Sequence, residues 1–407
     1  MNWESIRFGD LYAEDSRNGL TKPSKIRGSG YKMINMGELF ANDRIFDIPM
    51  ELVPLKESEK KNAKVEAGDL LFARQSLVLE GAGKCSIVME VSPLTVFESH
   101  LIRIRLNRAV ANPMFYYYYF KSPLSPVSSI VSQCAQAGIR GSDLQELTVA
   151  FPPLPVQNKM AEYLSKYDEL IETNKKQIQL LEEAAQRLYK EWFVDLHFPG
   201  YEGVKVVDRI PEGWEIKTIE SICNRVNAGG TPSRRKDGYW NPAEVIWYKT
   251  GELLDCWLVD SEEKISMDGL SNSSAKLFPK NTILMAIYAS PTLGHLGILS
   301  SEACCNQASL CLLANEDIVS WQWLYHKLYE LRDEFNAIAK GAGQQNISAD
   351  TVKKKEIVVP TKTVMDRYTS IASPIFEKRL GLQVQNKMLA EARNRLLPKL
   401  MSGEIGL

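Results

Sequence analysis

A chain of 407 residues, 44% hydrophobic and 24% charged, is long enough for two or more domains with real cores and has the composition of an ordinary soluble protein. No apolar run approaches the roughly 20 residues of a membrane span, and Met1-Asn2-Trp3-Glu4-Ser5 has no basic-then-apolar signal, so a cytoplasmic chain is expected. The net charge of -1 is poor for a nucleic-acid binder, so the distribution of charge carries more weight than its sum.

Residues 1–152 read as a mixed α/β domain. Short strands are expected at 69–73, 84–88 and 101–106. The last alternates strictly, which puts Arg103 and Arg105 on one face. The aromatic stretch 113–121 reads as a helix, and Phe151-Pro152-Pro153-Leu154-Pro155 then breaks structure. Residues 153–200 are expected to form a helical spacer. From Met160 the apolar spacing runs 4-3-4-3 through Leu164, Tyr167, Ile171, Asn174, Ile178, Leu181, Ala185, Leu188 and Trp192. That is a heptad seam, with Asn174 as its one polar, register-setting member. A second α/β domain follows at 201–360, with strands at 282–287 and 309–313 and a helix at 321–331. Val359-Pro360 closes it, and 361–407 form a second helical spacer. Its seam positions alternate between a mainly apolar set and a polar one that includes Arg379, Asn386 and Arg393.

Residues 139–193 and 347–401 overlay without a gap at an offset of 208: Ile139 falls on Ile347, Val149 on Ile357, Pro152 on Pro360 and Leu188 on Leu396. Upstream, Trp3-Glu4 answers Trp214-Glu215, and Met36-Gly37-Glu38-Leu39 answers Thr250-Gly251-Glu252-Leu253. The chain is two copies of one unit, so the fold expected is duplicated mixed α/β (α+β) domains joined by two long antiparallel coiled-coil helices. The helix interface should join Met160, Leu164, Tyr167, Ile171, Asn174, Ile178, Leu181 and Leu188 to Ile375, Leu382, Leu389 and Leu396. An internal pseudo-two-fold would set the domains at opposite ends of the helix pair. That symmetry suits a two-fold ligand such as duplex DNA.

Catalytic chemistry is thin. The seven cysteines are scattered and lack Cys-x-x-Cys spacing, and the four histidines are dispersed, so buried reduced thiols and no metal site are expected. Asn112-Pro113-Met114-Phe115 approximates the base-holding motif of adenine methyltransferases but reads better as a helix start. Gly81-Ala82-Gly83-Lys84 lacks the remaining parts of a P-loop, and Asp255 with Glu262-Glu263-Lys264 reads as surface charge. The chain is expected to bind and not to catalyse.

Residues 16–32 carry Arg17, Lys22, Lys25, Arg27 and Lys32 without an acid. The second copy has Gly229-Gly230-Thr231-Pro232-Ser233-Arg234-Arg235-Lys236-Asp237-Gly238-Tyr239-Trp240. Glycines let backbone amides approach phosphates, and arginine reads guanine bidentately. Gln344, Gln345 and Asn346 lie in a polar loop whose counterpart, 132–140, contains Arg140. Asn and Gln are the usual readers of adenine. The candidate DNA contacts are therefore Arg17, Lys22, Lys25, Arg27, Arg74, Gln75, Arg140, Arg234, Arg235, Lys236, Tyr239, Gln344, Gln345 and Asn346. Acids gather instead on the first helix, Asp168 and Glu182 among them, which fits a stem for protein contact.

At these residues the chain resembles the specificity subunits of type I restriction-modification systems. The resemblance covers essentially the whole chain. It rests on Gly229-Gly230-Thr231-Pro232-Ser233 with Tyr239-Trp240, on the passage from Gly138-Ile139-Arg140 to Pro155-Val156-Gln157, on its echo from Gln344 to Pro360, and on the ending from Leu397-Pro398-Lys399-Leu400 to Ile405. It implies two target-recognition domains, each reading half of a split, asymmetric double-stranded DNA target, with the helices as a ruler. It implies two modification subunits, which carry S-adenosylmethionine and methylate adenine, and restriction subunits that can join; this chain itself would bind no cofactor. The first copy departs from the pattern, since Ser16-Arg17-Asn18-Gly19-Leu20-Thr21-Lys22-Pro23-Ser24 has no Gly-Gly-Thr-Pro-Ser. Two other classes stay open: a stand-alone methyltransferase or nuclease, and a coiled-coil scaffold that does not touch DNA.

Overall fold

The alternation at 101–106 becomes the second strand of a five-stranded sheet. The computed structural model describes residues 3–133, 137–288, 292–339 and 346–405. In it, Leu101–Leu106 lies antiparallel between Tyr12–Asn18 and Leu70–Ala73, and the sheet continues through Cys85–Val88 to Arg44–Ile45. Ile102 and Ile104 face a core with Phe8, Leu11 and Tyr116, whereas Leu101 faces another with Met33, Ile34 and Phe97. Burial on both faces explains why Leu70-Leu71-Phe72-Ala73 is apolar throughout and does not alternate. Arg103 and Arg105 do share a face, but they face Glu14 (2.6 and 3.0 Å) and, for Arg105, Asp69 (2.7 Å).

The second copy repeats this topology strand for strand. Its five-stranded sheet runs Cys223–Ala228, Ser309–Ala314, Ile283–Ala286, Leu296–Leu299, Cys256–Leu258, and again the last pairing alone is parallel. Each copy adds a three-stranded sheet with one parallel pairing: Glu51–Val53, Tyr31–Ile34, Val96–Phe97 in the first and Glu263–Ile265, Val245–Tyr248, Cys304–Cys305 in the second. Each also pairs the strand after its leading tryptophan with the strand before the long helix, Glu4–Arg7 with Thr148–Phe151 and Glu215–Thr218 with Glu356–Val359. The duplication read from the 208-residue offset is a duplication of fold.

The chain packs as two units, Met1–Ile171 with Met388–Leu407, and Glu172–Lys387. The long helices, Leu154–Tyr189 and Lys362–Met401, each contribute to both. The segments 1–152, 153–200, 201–360 and 361–407 therefore do not coincide with the packing units. Within each unit the helices run antiparallel. In the first, Met160 and Leu164 share a core with Leu397 and Leu400, and Asp168 meets Arg393. In the second, Asn174 meets Asn386, Glu182 meets Arg379, and the rings of Trp192 and Tyr368 lie 6.1 Å apart.

Met160, Leu164, Asn174 and Leu382 are buried as the seam requires, and Ile171, Ile178, Leu181, Leu188, Ile375, Leu389 and Leu396 are half-buried. Tyr167 is half-buried too, and its neighbour Asp168, 5% exposed, is buried beside it. A helix of 3.6 residues per turn drifts against a 3.5-residue repeat, which brings Asp168 inward. The second helix also contains Pro374 and Pro398. An interior proline costs about 3 kcal/mol in an isolated helix. Buried Ala372, Phe376, Leu397 and Leu400 beside them offset it. Among the described residues no helix is long and apolar enough to cross a membrane.

Candidate nucleic-acid interface

Strand direction decides which loops meet. Asn18 lies opposite Ile102 and Ala73 opposite Leu101, so the loops leaving Asn18 and Ala73 emerge at the same end of the sheet, beside the turn at 98–100. The Leu20 amide donates to the Phe97 carbonyl (2.8 Å), that of Ser99 to Leu20 (3.0 Å), and that of Arg74 to His100 (2.8 Å). The polar loop then attaches: the Ile139 amide donates to the Arg74 carbonyl (2.9 Å), and Gly138 pairs with Gln75. The second unit repeats four of these five contacts. Gly230 donates to Cys305 (2.9 Å), Ile287 to Ala308 (2.9 Å), Ile347 to Ile287 (2.9 Å), and Asn346 bridges Tyr288. Three loops far apart in sequence thus converge at one sheet end in each unit.

The same backbone settles the correspondence of the glycine loops. A Cβ on Gly19 would lie 2.1 Å from the Phe97 carbonyl oxygen, and one on Gly229 2.4 Å from that of Cys305. Both glycines permit the same close approach to the same strand. The loops are equivalent even though the first copy lacks the Gly-Gly-Thr-Pro-Ser string.

The candidate contacts separate into braced and free groups. Lys22 is buried against Glu59 (2.8 Å), and Arg27 bonds Glu51 (2.6 Å) and the Lys22 carbonyl (2.7 Å). Arg17 reaches Asn62 at 3.4 Å. Arg234 is ion-paired with Glu263, its guanidinium 3.6 Å from the centre of the Trp240 ring. Lys236 donates to the Tyr239 hydroxyl (2.9 Å), which donates to the Asn272 carbonyl (2.7 Å), with Tyr239 buried. These groups build the loops. Lys25, Arg140 and Arg235 are exposed and unpaired among the described residues. Arg74 and Gln75 are half-buried at the sheet end, with Arg74 3.5 Å from the Ser99 carbonyl. Asn346 is half-buried and its Oδ1 has no partner among the described residues. Gln344 and Gln345 lie outside the described residues.

Sequence reading missed Gln307 and His100, both exposed at this sheet end. Gln307 accepts a hydrogen bond from the Thr231 hydroxyl, which ties it to the glycine loop. Both fall in the turn before the strand that pairs with the glycine loop's own strand, and only the pairing reveals that.

The catalytic resemblances resolve into structure. Asn112 caps the helix Pro113–Lys121, its Oδ1 accepting from the amides of Met114 (2.8 Å) and Phe115 (3.2 Å) while its Nδ2 donates to Asn158 (2.7 Å). Gly83-Lys84 leads into a strand, with Lys84 bonding the Phe40 carbonyl (2.7 Å). Asp255 is paired with Arg332, and Glu262 with Lys249 (2.8 Å). Among the described residues six cysteines are free thiols, and the sulfurs of Cys305 and Cys311 lie 3.1 Å apart in the core, where burial pushes the Cys311 thiol up.

The acidic stem is also corrected. Asp168 and Glu182 point into the helix pair, where Arg393 and Arg379 meet them. Asp168 also accepts from the Tyr118 hydroxyl (2.5 Å). Burial works against the charge on Glu182, but His326 and Arg379 together hold its carboxyl below the usual range. Glu162, Glu169, Glu191 and Asp195 remain exposed.

Known proteins share this architecture. The model of the type I restriction modification DNA specificity domain matches the chain twice, over residues 1–183 and 211–366. The chain is 25% identical to the MjaIX type I restriction enzyme specificity subunit of Methanocaldococcus jannaschii, over 82% of this chain and 78% of that one. It is 22% identical to the HindI type I restriction enzyme specificity subunit of Haemophilus influenzae, over 99% and 100%. Among solved structures, the S subunit of a type I restriction-modification system from M. genitalium is similar with a TM-score of 0.58 at 15% identity, over 98% of this chain and 96% of that one, a likeness of fold.

Proposed function

The chain belongs to the family of the type I restriction modification DNA specificity domain, and from that premise we propose that it selects the DNA on which a modification complex of that type acts. Each α/β domain reads one half of a bipartite duplex target through the three loops at its sheet end. The observation that carries this reading is the convergence of the same three loops, by the same backbone bonds, in both units. Their side chains differ: Arg74, Gln75 and Arg140 in one, Tyr288, Gln307 and Asn346 in the other. Unlike readers on like frames call for unlike half-sites, so the target is asymmetric. Lys25, Arg140 and Arg235 supply phosphate or guanine contacts, and Gln75, Gln344, Gln345 and Asn346 supply adenine contacts.

Chemistry is left to partners. Two modification subunits dock on this chain, carry S-adenosylmethionine and methylate adenine, and restriction subunits can join them. The chain holds no cofactor and works in the cytoplasm. Support comes from Asn112, whose amide is committed to a helix cap and to Asn158. The test is to map methylated bases in the DNA of a host that expresses the chain with its modification subunits. A split, asymmetric motif that vanishes when this chain is omitted is expected. A contiguous motif, or methyl transfer by the isolated chain, would overturn the reading.

A further inference from the structure

The loop leaving strand Leu70–Ala73 carries Leu77, Val78 and Leu79, which are 90%, 59% and 46% exposed. Leu77 is the most exposed large hydrophobic among the described residues. Single exposed leucines are ordinary, but three consecutive apolar residues at a loop tip carry a solubility cost that a ligand would remove. The base of the tip is well anchored. Gln75–Ser76 pairs with Ala137–Gly138, which pairs in turn with Ser132–Gln133. The Val78 amide donates to the Ser76 hydroxyl (3.1 Å), and at Gly81 a Cβ would lie 2.2 Å from that same oxygen.

The surroundings say what kind of ligand fits. Arg74 and Gln75 precede the tip, and Arg140 follows the strand that pairs with it. Residues 70–79 and 131–142 contain no acid. Nearby Phe40 lies under the Lys84 ammonium, 5.3 Å from its ring centre. An apolar tip with Arg74, Gln75 and Arg140 at its base, and Glu80 following it, suits an anionic, polar surface that displays an isolated apolar group. Duplex DNA is such a surface, because each thymine puts a C5-methyl into the major groove beside the donors and acceptors that Arg and Gln read.

We infer that Leu77 is a specificity-determining residue of the first domain, packing against the methyl group of one thymine in that domain's half-site. The inference rests on the DNA-recognition reading above. It also distinguishes the two copies. Gln75 and Tyr288 hold equivalent pairing positions, and the residue two places on is Leu77 in one copy and Ser290 in the other. The thymine contact belongs to the first half-site alone.

The test uses the full chain assembled with its modification subunits, bound to the target found by methylation mapping and to versions in which each thymine in turn is replaced by deoxyuridine, which lacks only the methyl. Leu77→Ala should leave the melting temperature unchanged and weaken binding about 10-fold. The dependence on salt should stay the same, since no phosphate contact is lost. One deoxyuridine substitution should weaken the wild-type complex several-fold and leave Leu77→Ala unaffected. Normal binding by Leu77→Ala, or deoxyuridine effects equal in both proteins, would overturn the inference. Loss of assembly with the modification subunits in the absence of DNA would overturn it too, by giving the tip to a protein partner. If the wild-type complex does not distinguish the target from one with a scrambled half-site, the recognition reading itself fails, which is a separate result.

Discussion

His326 is 2% exposed, with Nδ1 2.9 Å from the Tyr368 hydroxyl and Nε2 3.8 Å from Glu182. Arg379, Tyr325 and Tyr189 complete the titratable groups around it. Burial pushes the imidazole below its ordinary range, so it is neutral in the folded protein at neutral pH. Once unfolded, the same ring takes up a proton near pH 6.5. Stability therefore falls as pH drops through about 6.5, by at most about 1.4 kcal/mol per pH unit for one proton. Glu182 acts in the same direction lower down, because its depressed pKa contributes stability above about 4.5 that is lost as pH falls through the folded value. His326→Gln keeps a donor and an acceptor but cannot titrate, so its melting temperature should change less than wild type between pH 7 and 5.5. Equal slopes would assign the acid sensitivity to other groups. In the glycine loop, Arg235→Ala should lower the salt slope of DNA binding by about 0.9 if it meets a phosphate. Arg234→Ala should instead cost about 1 kcal/mol of stability, through the lost Trp240 stacking and Glu263 pair. Unfolding and binding titrations of the two variants separate these roles, and interchangeable behaviour would count against the division into braced and free cations.

The helix pair contains three polar layers: Asp168 with Arg393, Asn174 with Asn386 (2.9 Å) and Gln385 (3.0 Å), and Glu182 with Arg379. Both acids are on the first helix and both arginines on the second. An ion pair in a packed interface contributes little net stability, because desolvation offsets attraction, but breaking it leaves a stranded charge. Asp168→Leu alone should cost about 3 kcal/mol, moderated because the Arg393 side chain is a quarter exposed. Asp168→Leu with Arg393→Met should recover most of that loss. A double-mutant cycle from urea unfolding measures the coupling, and additive effects would mean that the pair carries no pairing information. The apolar seam was legible as a 4-3 spacing. The layers were not, because a charged residue at a helix position reads as solvated until its partner, more than 190 positions away, is known.

For the whole molecule, the expectation that the helices set the spacing between half-sites has a direct test. Both long helices enter both packing units. Inserting one heptad within 165–188 and another within 373–396 preserves the seam phase and adds ~10 Å to each helix. The unspecified gap in the methylated motif should lengthen by about three base pairs, at ~3.4 Å per pair. An unchanged gap in a stable, active insertion protein would show that the helices do not set the spacing.

The sequence by itself determined the duplication, the alternation of α/β domain and long helix, the main strands and the candidate loops. Those properties are local or are carried by comparing one stretch of chain with another at a constant offset. Tertiary structure decided which loops meet at one sheet end and which charges are already satisfied. Gly19 and Gly229 look unlike in sequence and are equivalent because each crosses a neighbouring strand too closely for a Cβ. Arg234 and Arg235 are adjacent and chemically alike, yet one lies on Trp240 and the other is exposed. Strand direction, register and burial set these differences, and all three arise from contacts between residues distant along the chain.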